Sequence, residues 1–457
     1  MVKLNTNIKT DIVIVGSGVS GLFCALSLPK DKNILIITKD ALENSDSYLA
    51  QGGICMMRDE ADYHSFFEDT LHAGHYENNK ESVSIMIRSS QEIIGDLINY
   101  DVEFERDGEN FAFTKEGAHS IPRILFHQDI TGKEITSKLL KHVKALDNVE
   151  ILEYVTMLDL LEDKNQCHGI ICKTKNGELI TIEAKYTVLA SGGIGGLFNH
   201  STNFSHLTGD ALGIALKHHI CLENIDYIQI HPTTLYTSKP GRSFLISESV
   251  RGEGAVLLNA KMERFVDELL PRDVVAKEIY KQMEVDNKPH VWLSLLPLDR
   301  DVIINHFPNI YEYCLNEGYD ITKECIPIVP AQHYFMGGIH VDKYSKTSMH
   351  RLYAVGETSC NGVHGSNRLA SNSLLESLVF AKRAAKHISR KISQHLPVPT
   401  LNTCTDGSIT ARLIENLDVN YYMKDQILLN QYKHNILNEI ERMRESREQH
   451  FYETKCR

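Results

Sequence analysis

The chain is long, acidic and moderately hydrophobic: it has 457 residues, a formal net charge of -12 and 42% hydrophobic residues. A prior of about 150 residues per domain predicts two or three units with a large buried core. The negative charge excludes nucleic acid and anionic lipid as partners of the whole chain, so a site for an anionic ligand must be locally basic.

The cysteines and the N-terminus bear on the compartment. The 10 cysteines are scattered without a C-x-x-C pair, which favours free thiols in a reducing compartment over a disulfide framework or iron–sulfur ligands. No basic segment followed by an apolar one opens the chain, and no apolar run reaches membrane-spanning length. We therefore expect a cytoplasmic protein without a membrane partner or a metal site.

The first motif covers residues 10–22, TDIVIVGSGVSGL. Its apolar run followed by Gly-x-Gly-x-x-Gly predicts a buried parallel strand that turns into a helix ending near Leu28 and Pro29. The free N–H groups of such a helix can face a pyrophosphate. The alternative is a glycine-rich turn without a nucleotide. The candidate cofactor residues are Gly16, Ser17, Gly18, Val19 and Gly21.

The second parallel strand is predicted at residues 33–39. A dinucleotide fingerprint places an acidic residue for the ribose about 20 residues past the glycines. Thr38 and Lys39 stand there instead. This departure disfavours a plain NAD site, is compatible with a 2′-phosphate, and leaves nicotinamide and flavin open at this point.

A second glycine-containing motif covers residues 45–54, SDSYLAQGGI. Small hydroxylic residues followed by Gln-Gly-Gly let backbone N–H groups approach a flat ring and a phosphate closely, because glycine has no Cβ. The alternative is an ordinary turn. The cofactor candidates here are Ser45, Asp46, Ser47, Tyr48, Leu49, Ala50, Gln51, Gly52 and Gly53.

With these two motifs the chain resembles the flavoprotein family of succinate dehydrogenase, fumarate reductase and L-aspartate oxidase. In the first two enzymes a histidine of this loop usually bonds covalently to FAD, and Asp46 matches that position. The resemblance therefore implies non-covalent FAD, as in the aspartate oxidase branch. It also implies an α/β fold: a discontinuous Rossmann-like FAD-binding domain (1–225 and 335–395), an inserted α+β capping domain (240–325) and a short helical C-terminal region (396–457).

Further elements follow from periodicity and turn signals. Helices are predicted at 81–101, from 129 through 140, and at 427–452, the last after a proline-punctuated linker and with a solvated face. Strands are predicted at 149–152, 169–172 and 179–182, the last two joined by a two-residue Asn-Gly turn. A separate strand is predicted at 186–193.

Two acidic residues complete the predicted cofactor site. The resemblance makes Asp210, in the segment Thr-Gly-Asp-Ala, a flavin-side contact. Glu357 follows an apolar strand and a glycine, and its carboxylate can accept ribose hydroxyls. It supplies the acid missing beside Lys39 and favours FAD over a nicotinamide cofactor.

The loop at residues 113–120 contains Glu116, which matches a glutamate that the aspartate oxidases place near the substrate. A carboxylate there would favour an ammonium that succinate lacks. The alternative is an exposed loop glutamate without a role.

The remaining substrate residues lie between residues 229 and 368. The resemblance implies substrate binding by Gln229, His231, Ser247, His333 and Arg368. The planar guanidinium of Arg368 suits bidentate capture of a carboxylate, and it precedes Ser373 and Leu374, where backbone N–H groups are expected at the flavin edge.

Arg272 matches the arginine that this family uses as proton donor or acceptor at the reacting carbon. Arginine is a poor base in water, so that role needs a dry site with neighbouring charges, for which Glu248 and the helix start are the candidates. Pro271 is predicted at the first helical position. The alternative for Pro-Arg-Asp is a solvated helix N-terminus.

Together Arg272, Arg368, His231 and His333 predict a cationic pocket for a four-carbon dianion, and Glu116 favours one with an amine. The resemblance implies oxidation of L-aspartate to iminoaspartate, with hydride transfer to flavin N5 and oxygen or fumarate as acceptor. That reaction opens NAD synthesis through quinolinate, with hand-off to a quinolinate synthase. The alternatives are a soluble fumarate reductase, a succinate dehydrogenase flavoprotein subunit, and a non-enzymatic FAD module.

Overall fold

The computed structural model describes residues 6–239, 241–394 and 406–455. In these residues the strands are β1 (Thr6–Val15), β2 (Ile34–Thr38), β3 (Ile54–Cys55), β4 (Arg106–Asp107), β5 (Asn110–Phe111), β6 (Ile124–Leu125), β7 (Val149–Glu153), β8 (Val155–Asp163), β9 (Gln166–Thr174), β10 (Leu179–Leu189), β11 (Leu222–Glu223), β12 (Ile228–Leu235), β13 (Val256–Leu258), β14 (Val291–Ser294), β15 (Ile326–Phe335), β16 (Gly338–His340), β17 (Leu352–Ala354) and β18 (Ser359–Cys360).

The α-helices of the same residues are α1 (Val19–Ser27), α2 (Asp46–Leu49), α3 (Tyr63–Ala73), α4 (Lys80–Asn99), α5 (Thr131–Lys144), α6 (Asp210–Lys217), α7 (Glu248–Gly252), α8 (Arg272–Asp286), α9 (Arg300–His306), α10 (Pro308–Asn316), α11 (Asn372–Gln394), α12 (Asp406–Glu415), α13 (Val419–Met423) and α14 (Asp425–Lys455). Short 3-10 helices cover Glu60–Asp62, Gly195–Leu197 and Gly356–Thr358.

The main sheet has seven strands in the order β7-β2-β1-β10-β9-β8, with β17 also paired to β10. Strands β7, β2, β1, β10 and β17 run parallel to their neighbours within this group, whereas β9 and β8 are antiparallel. A parallel strand, helix and second parallel strand therefore open the chain, and the predicted α/β fold with a Rossmann-like core is confirmed.

Both faces of this sheet are buried. Ile12 and Ile14 of β1 pack in one hydrophobic cluster with α1, α4, α5 and α11, whereas Val13 and Val15 pack in another with α6 and α14. Because helices cover both faces, the carboxyl end of β1, residues 12–15, is an unbroken apolar run rather than an alternating one.

A second sheet, antiparallel in the order β12-β15-β14-β13, lies in residues 228–335. Helices α8, α9 and α10 pack against it through Val275, Ile303 and Ile310. The β12–β15 ladder is irregular in two places, between Gln229 and Ile230 and between His231 and Thr234. Bulges of this kind re-aim side chains beside functional sites. The boundaries of the capping domain stay a prediction.

Three local predictions are wrong. Residues 179–182 and 186–189 form the single strand β10, which pairs with β9 along its first half and with β17 along its second. The hairpin turn has three residues rather than two: Thr174 pairs with Glu178, and Gly177 takes φ +82° as the extra residue of a bulge. Pro271 is the N-cap of α8, one position before the predicted one.

The C-terminal helix is not the solvated element predicted from its charge. Leu428, Tyr432, Ile436 and Ile440 of α14 are buried against the main-sheet core. A Cβ added to Gly213 of α6 would lie 2.3 Å from the Tyr432 Cβ, so the glycine permits close packing of the two helices. The predicted linker at residues 396–399 lies outside the described residues.

Candidate active site

A cleft opens at the carboxyl ends of β1 and β2. In parallel sheets ligands bind at this edge. The predicted cofactor residues on its wall are Gly16, Ser17, Gly18, Lys39, Ser45, Asp46, Ser47, Leu49, Ala50, Asp210, Glu357, Ser373 and Leu374. Those that do not line it are Val19, Gly21, Tyr48, Gln51, Gly52 and Gly53.

Two glycines of the first motif work through close packing. Gly16 has φ +118°, and a Cβ there would lie 2.1 Å from the carbonyl oxygen of Ala190 on the neighbouring strand. A Cβ on Gly21 would lie 2.2 Å from the Gly16 carbonyl oxygen. Gly21 thus sets the distance between α1 and β1 rather than forming the wall.

The wall carries polar groups that make no hydrogen bond within the described residues. These buried atoms include Ser45 Oγ, Asp46 Oδ2, Asn203 Oδ1 and Arg368 Nε. Buried polar groups in proteins are nearly always paired, and the N-cap residue of α1, Gly18, provides no side-chain hydrogen bond to the helix N-terminus. The residues present therefore fit an elongated ligand with a phosphate group and many polar atoms, as FAD is.

Lys39 is held by its neighbours in the wall. Its Nζ donates to Asp210 Oδ2 at 2.6 Å, to Thr208 Oγ1 at 3.0 Å and to the His206 carbonyl oxygen at 3.0 Å. Because the Asp210 carboxylate compensates the charge of the Lys39 ammonium, Lys39 is not an unpaired cation that needs a 2′-phosphate. This bridge explains why a lysine can stand where the dinucleotide fingerprint has an acid.

Asp46 occupies the first turn of α2, beside the cleft. Its Oδ1 accepts a hydrogen bond from the Phe204 N–H at 3.0 Å. Burial raises the pKa of the Asp46 carboxyl to about 7, and the hydrogen bond opposes that shift. Burial also raises the pKa of Glu357 to about 8, with Asp46 as the next cause. The cleft therefore holds two carboxyls of low acidity.

Sequence reasoning missed several wall residues from outside the glycine motifs, among them Thr202, Asn203, Arg242 and Tyr334. Arg242 donates to the Thr202 carbonyl oxygen at 3.2 Å, and the Thr202 hydroxyl contacts His333 Nδ1 at 2.7 Å. A loop of small polar residues at 201–203 was the available signal. Arg242 had no local signal.

A buried cluster of charged and polar side chains adjoins the cleft at His333 and Arg368, which line both. Its other members come from β12 (Gln229, His231), the α7 region, the start of α8 and the loop before β6. We call this set the substrate cluster: Glu116, Gln229, His231, Glu248, Arg251, Arg272, His333 and Arg368. His333 is the extra residue of the β12–β15 bulge, since Tyr334 and Gln332 pair with consecutive residues of β12.

Gln229 connects the two predicted arginines. Its Oε1 accepts from Arg272 Nη1 at 3.0 Å, and its Nε2 donates to the Arg368 carbonyl oxygen at 2.8 Å and to Asn367 Oδ1 at 2.9 Å. Arg272 Nε donates to Glu248 Oε2 at 2.5 Å. Arg272 is thus a buried, paired guanidinium and not a solvated helix start.

Arg251 belongs to the cluster although its motif alone gave it no role. Its side chain is fully buried, its Nη2 lies 3.7 Å from Glu248 Oε2, and Nη1 donates to the Glu268 carbonyl oxygen. Burial would raise the pKa of Glu248, but Arg272 and Arg251 lower it below the ordinary value. Glu248 is therefore ionised at neutral pH.

Glu116 is buried rather than an exposed loop residue. Its two carboxylate oxygens accept from Ser249 Oγ at 2.7 Å and from Ser371 Oγ at 2.6 Å. Burial raises the pKa of Glu116, and Glu248 raises it further. Ser249 and Ser371 were not predicted. Ser247, which was, caps α7 and contacts Ser249 Oγ at 3.2 Å, one residue removed from Glu116.

The two histidines face each other, with ring centres 5.0 Å apart. His231 Nδ1 contacts the backbone of Thr233, and its buried Nε2 has no partner within the described residues. Burial, with Arg272 next, lowers the pKa of both histidines well below the ordinary value. The predicted cationic contribution of His231 and His333 is therefore wrong for the protein alone; they offer neutral imidazoles.

Arg368 is buried and only partly bonded. Its guanidinium carbon lies 4.7 Å from the Tyr334 ring centre, and its Nη1 donates to Ser373 Oγ at 3.3 Å. Burial and the neighbouring Arg272 lower the pKa of Arg368 to about 10, so it still carries its charge at neutral pH. The unused donors are available to a carboxylate.

The charges of the cluster do not cancel. Three guanidinium groups, of Arg251, Arg272 and Arg368, face two carboxyls, and Glu116 has a raised pKa. Buried charge is costly without compensation. A small dianion is the ligand that this cluster can compensate.

Comparison with known proteins gives the class. Residues 11–374 match the family described as FAD binding domain. A quinol fumarate reductase of E. coli superposes with a TM-score of 0.82 at 26% identity, covering 96% of this chain and 83% of that one. The protein is therefore a flavoprotein of the succinate dehydrogenase and fumarate reductase fold, with FAD as its cofactor.

Sequence similarity over most of the chain points to a narrower family within this class. An L-aspartate oxidase of Clostridium perfringens is 51% identical over 383 residues, which are 84% of this chain and 87% of that protein. One of Clostridium acetobutylicum is 51% identical over 389 residues, 85% of this chain and 89% of that protein. The chain belongs to the L-aspartate oxidase family. In its described residues no helix is long and apolar enough to cross a bilayer.

Proposed function

We propose that this protein oxidises L-aspartate to iminoaspartate at the substrate cluster, with FAD held non-covalently in the adjoining cleft. The observation that carries the proposal is the buried position of the Glu116 side chain and its hydrogen bonds. Its buried carboxyl, bonded to Ser249 and Ser371, stands beside three arginines. A site with this composition can hold two carboxylates and one ammonium.

Each residue has a role that follows from its contacts. Arg368, with free guanidinium donors, takes one carboxylate of the substrate together with His333. His231 offers its unpartnered Nε2 to the other carboxylate. Gln229 acts by holding Arg272 and the Arg368 backbone, and Ser247 by contacting Ser249, which donates to Glu116. Such fixation of both ends orients the α-carbon, which lowers the entropic part of the barrier.

Bound FAD supplies the hydride acceptor for this chemistry. The ammonium of L-aspartate must lose one proton as its α-carbon loses a hydride, and Glu116 is the carboxylate placed to hold that ammonium and take its proton. Arg272, fixed by Glu248 and Gln229, would deliver a proton to the substrate carbon when fumarate is the acceptor. Residues 240–325 act as the capping domain that excludes water.

The instability of the imine product bears on the reaction that follows. An imine hydrolyses in water, so we infer direct hand-off of iminoaspartate to a quinolinate synthase in the cytoplasm, with oxygen or fumarate reoxidising the flavin.

One anaerobic experiment tests the function. The purified holoprotein is mixed with L-aspartate and, separately, with succinate, and the flavin absorbance is followed. We expect bleaching by L-aspartate. Bleaching by succinate alone would identify a fumarate reductase or succinate dehydrogenase subunit instead, and bleaching by neither would leave a non-enzymatic FAD module.

A further inference from the structure

The C-terminal helix contacts the turn that leads into the substrate cluster. Arg447 of α14 donates from Nε to Asp226 Oδ2 at 2.6 Å and from Nη2 to Asn224 Oδ1 at 2.8 Å. Its guanidinium carbon lies 4.2 Å from the ring centre of Tyr227. One side chain, more than 200 residues away in sequence, thus binds three residues of the β11–β12 turn.

Asp226 depends on this contact. Its side chain is only 5% exposed, whereas that of Arg447 is 39% exposed. Within the described residues the other carboxylate oxygen, Oδ1, has no hydrogen-bond partner. A buried carboxylate that loses its cation is strongly disfavoured, so without Arg447 the turn must shift to let water reach Asp226.

A shift of the turn reaches the substrate residues in two ways. First, Tyr227 directly precedes β12, which carries Gln229 and His231. Gln229 in turn holds Arg272 through its Oε1. Because the residues are consecutive on one strand, displacement of Tyr227 moves the backbone that aims both side chains.

The second route runs to Arg368. Tyr227 packs with Tyr334 and Met336 in a separate hydrophobic cluster, and the Tyr334 ring lies under the Arg368 guanidinium. The Tyr227 hydroxyl also donates to Glu77, whose other oxygen accepts from Ser366 Oγ at 3.3 Å. Ser366 stands two residues before Arg368.

We propose that Arg447 is a positioning residue for the diacid site: by clamping residues 224–227 to α14 it fixes Gln229, His231 and Arg368 in their binding arrangement. The identity of the substrate rests on the proposed function, but the clamp itself does not. The C-terminal helix then contributes to substrate binding without touching the substrate.

The test compares Arg447→Met with the parent holoenzyme. The dissociation constant of malonate, a short diacid that has no hydride to give, is measured from the change in flavin absorbance, and the Michaelis constant of L-aspartate from initial rates. We expect both constants to rise about five- to tenfold, with KM rising more than kcat falls. Retained FAD should stay close to that of the parent, whereas the melting temperature should fall because the buried Asp226 carboxylate loses its cation.

Arg442→Met is the matched control, since Arg442 lies on the same helix and its guanidinium bonds Glu439 and Met443 of α14. It should leave malonate binding unchanged. Combining Arg447→Met with Asp226→Asn should add little to the larger single effect, because both remove one contact. Arg447→Lys, which keeps the charge but not the fork, should show a smaller rise of about two- to threefold.

The proposal would be refuted if the dissociation constant of malonate were unchanged in Arg447→Met, or if it rose equally in Arg442→Met. If Arg447→Met does not fold, Arg447→Lys decides by the same measurement, and no rise in it counts against the proposal. Malonate separates this inference from the proposed function. If the parent protein binds malonate but its flavin is not bleached by L-aspartate, the proposed function is refuted. The malonate dissociation constants of the Arg447 variants then still decide whether Arg447 positions the diacid site.

Discussion

The cofactor cleft and the substrate cluster adjoin, yet they are built on different physical principles. The first part of the cleft wall comes from short contiguous motifs whose glycines let backbones approach closely, as at Gly16 and Gly21. The substrate cluster is assembled from separate segments and depends on buried charges that hold one another, as Glu248 and Arg272 do. A local change should therefore affect the cleft through shape and the cluster through charge balance.

The carboxyls of the two regions show the same difference. Glu357 and Asp46 at the cleft have raised pKa values because burial dominates over weak compensation. Glu248 in the cluster is equally buried but keeps a lowered pKa because Arg272 and Arg251 stand beside it. Thus Glu248 keeps its charge at neutral pH because cations stand beside it, whereas burial raises the pKa of Asp46, Glu357 and also of Glu116.

The largest expected effect is that of Arg272→Lys, which keeps the cation beside Glu248 but lacks the fork that also reaches Gln229. We expect reoxidation of the reduced flavin by fumarate, the step in which Arg272 delivers a proton, to slow by about 10³-fold, within the range for loss of a positioned acid or base. Stopped-flow single turnovers measure it directly.

The control for that variant is Lys281→Met, on the exposed side of the same helix. Lys281 Nζ lies 3.4 Å from Glu278 Oε2 in a surface ion pair. Its rate of flavin reoxidation by fumarate should match that of the parent. A rate for Arg272→Lys within about threefold of the parent would remove Arg272 from the chemistry.

The next effect concerns shape. Gly16→Ala places a Cβ 2.1 Å from the Ala190 carbonyl oxygen at φ +118°, and we expect FAD affinity to fall about a hundredfold through backbone strain. Gly95→Ala is the matched control because a Cβ on that α4 glycine meets nothing within 4 Å. It should leave FAD binding alone and stabilise the fold by up to about 1 kcal/mol. Fluorescence titration of the apoprotein distinguishes the two.

The same contrast explains what could be read from the sequence. The strand and helix of the first motif, and the cleft residues of the two glycine-containing motifs, follow from patterns within a few positions of Gly16 and Ser45. Arg242 and Thr202 reach the wall from loops that carry no such pattern. The burial of Glu116 depends on Ser249 and Ser371, each more than 130 residues distant.

The wrong predictions have the same origin. His231 and His333 look cationic in isolation, but burial and nearby arginines keep them neutral. The charged composition of α14 suggested a solvated face, yet its apolar stripe covers the main sheet. Tertiary neighbours set both outcomes, and no local window contains them.

A smaller, selective effect tests the ammonium. Glu116→Gln should weaken L-aspartate binding about tenfold, the value of one charge-assisted hydrogen bond, and weaken succinate much less, because only aspartate has an ammonium. As the pKa of Glu116 is raised, the preference for aspartate should grow as pH rises and Glu116 ionises. Equal weakening of both ligands in absorbance titrations would contradict this role.

The last effect concerns a buried carboxyl of α11, next in sequence to Ser377 of the cleft wall. Glu376 of α11 is buried, and burial raises its pKa to about 7 against the hydrogen bonds from Asn361 and Ser377. An unfolded glutamate ionises near pH 4.5, so between that pH and about 7 the folded state binds the extra proton. The free energy of unfolding should therefore fall as pH rises through this window.

Glu376→Gln should remove part of that fall, on the order of 1–3 kcal/mol between pH 5 and 7. Denaturant titrations at several pH values measure the slope, and Glu150→Gln, at an exposed position of β7, should leave it as in the parent. A parental slope in Glu376→Gln would mean that Glu376 is ionised in the folded protein and that burial does not raise its pKa as expected.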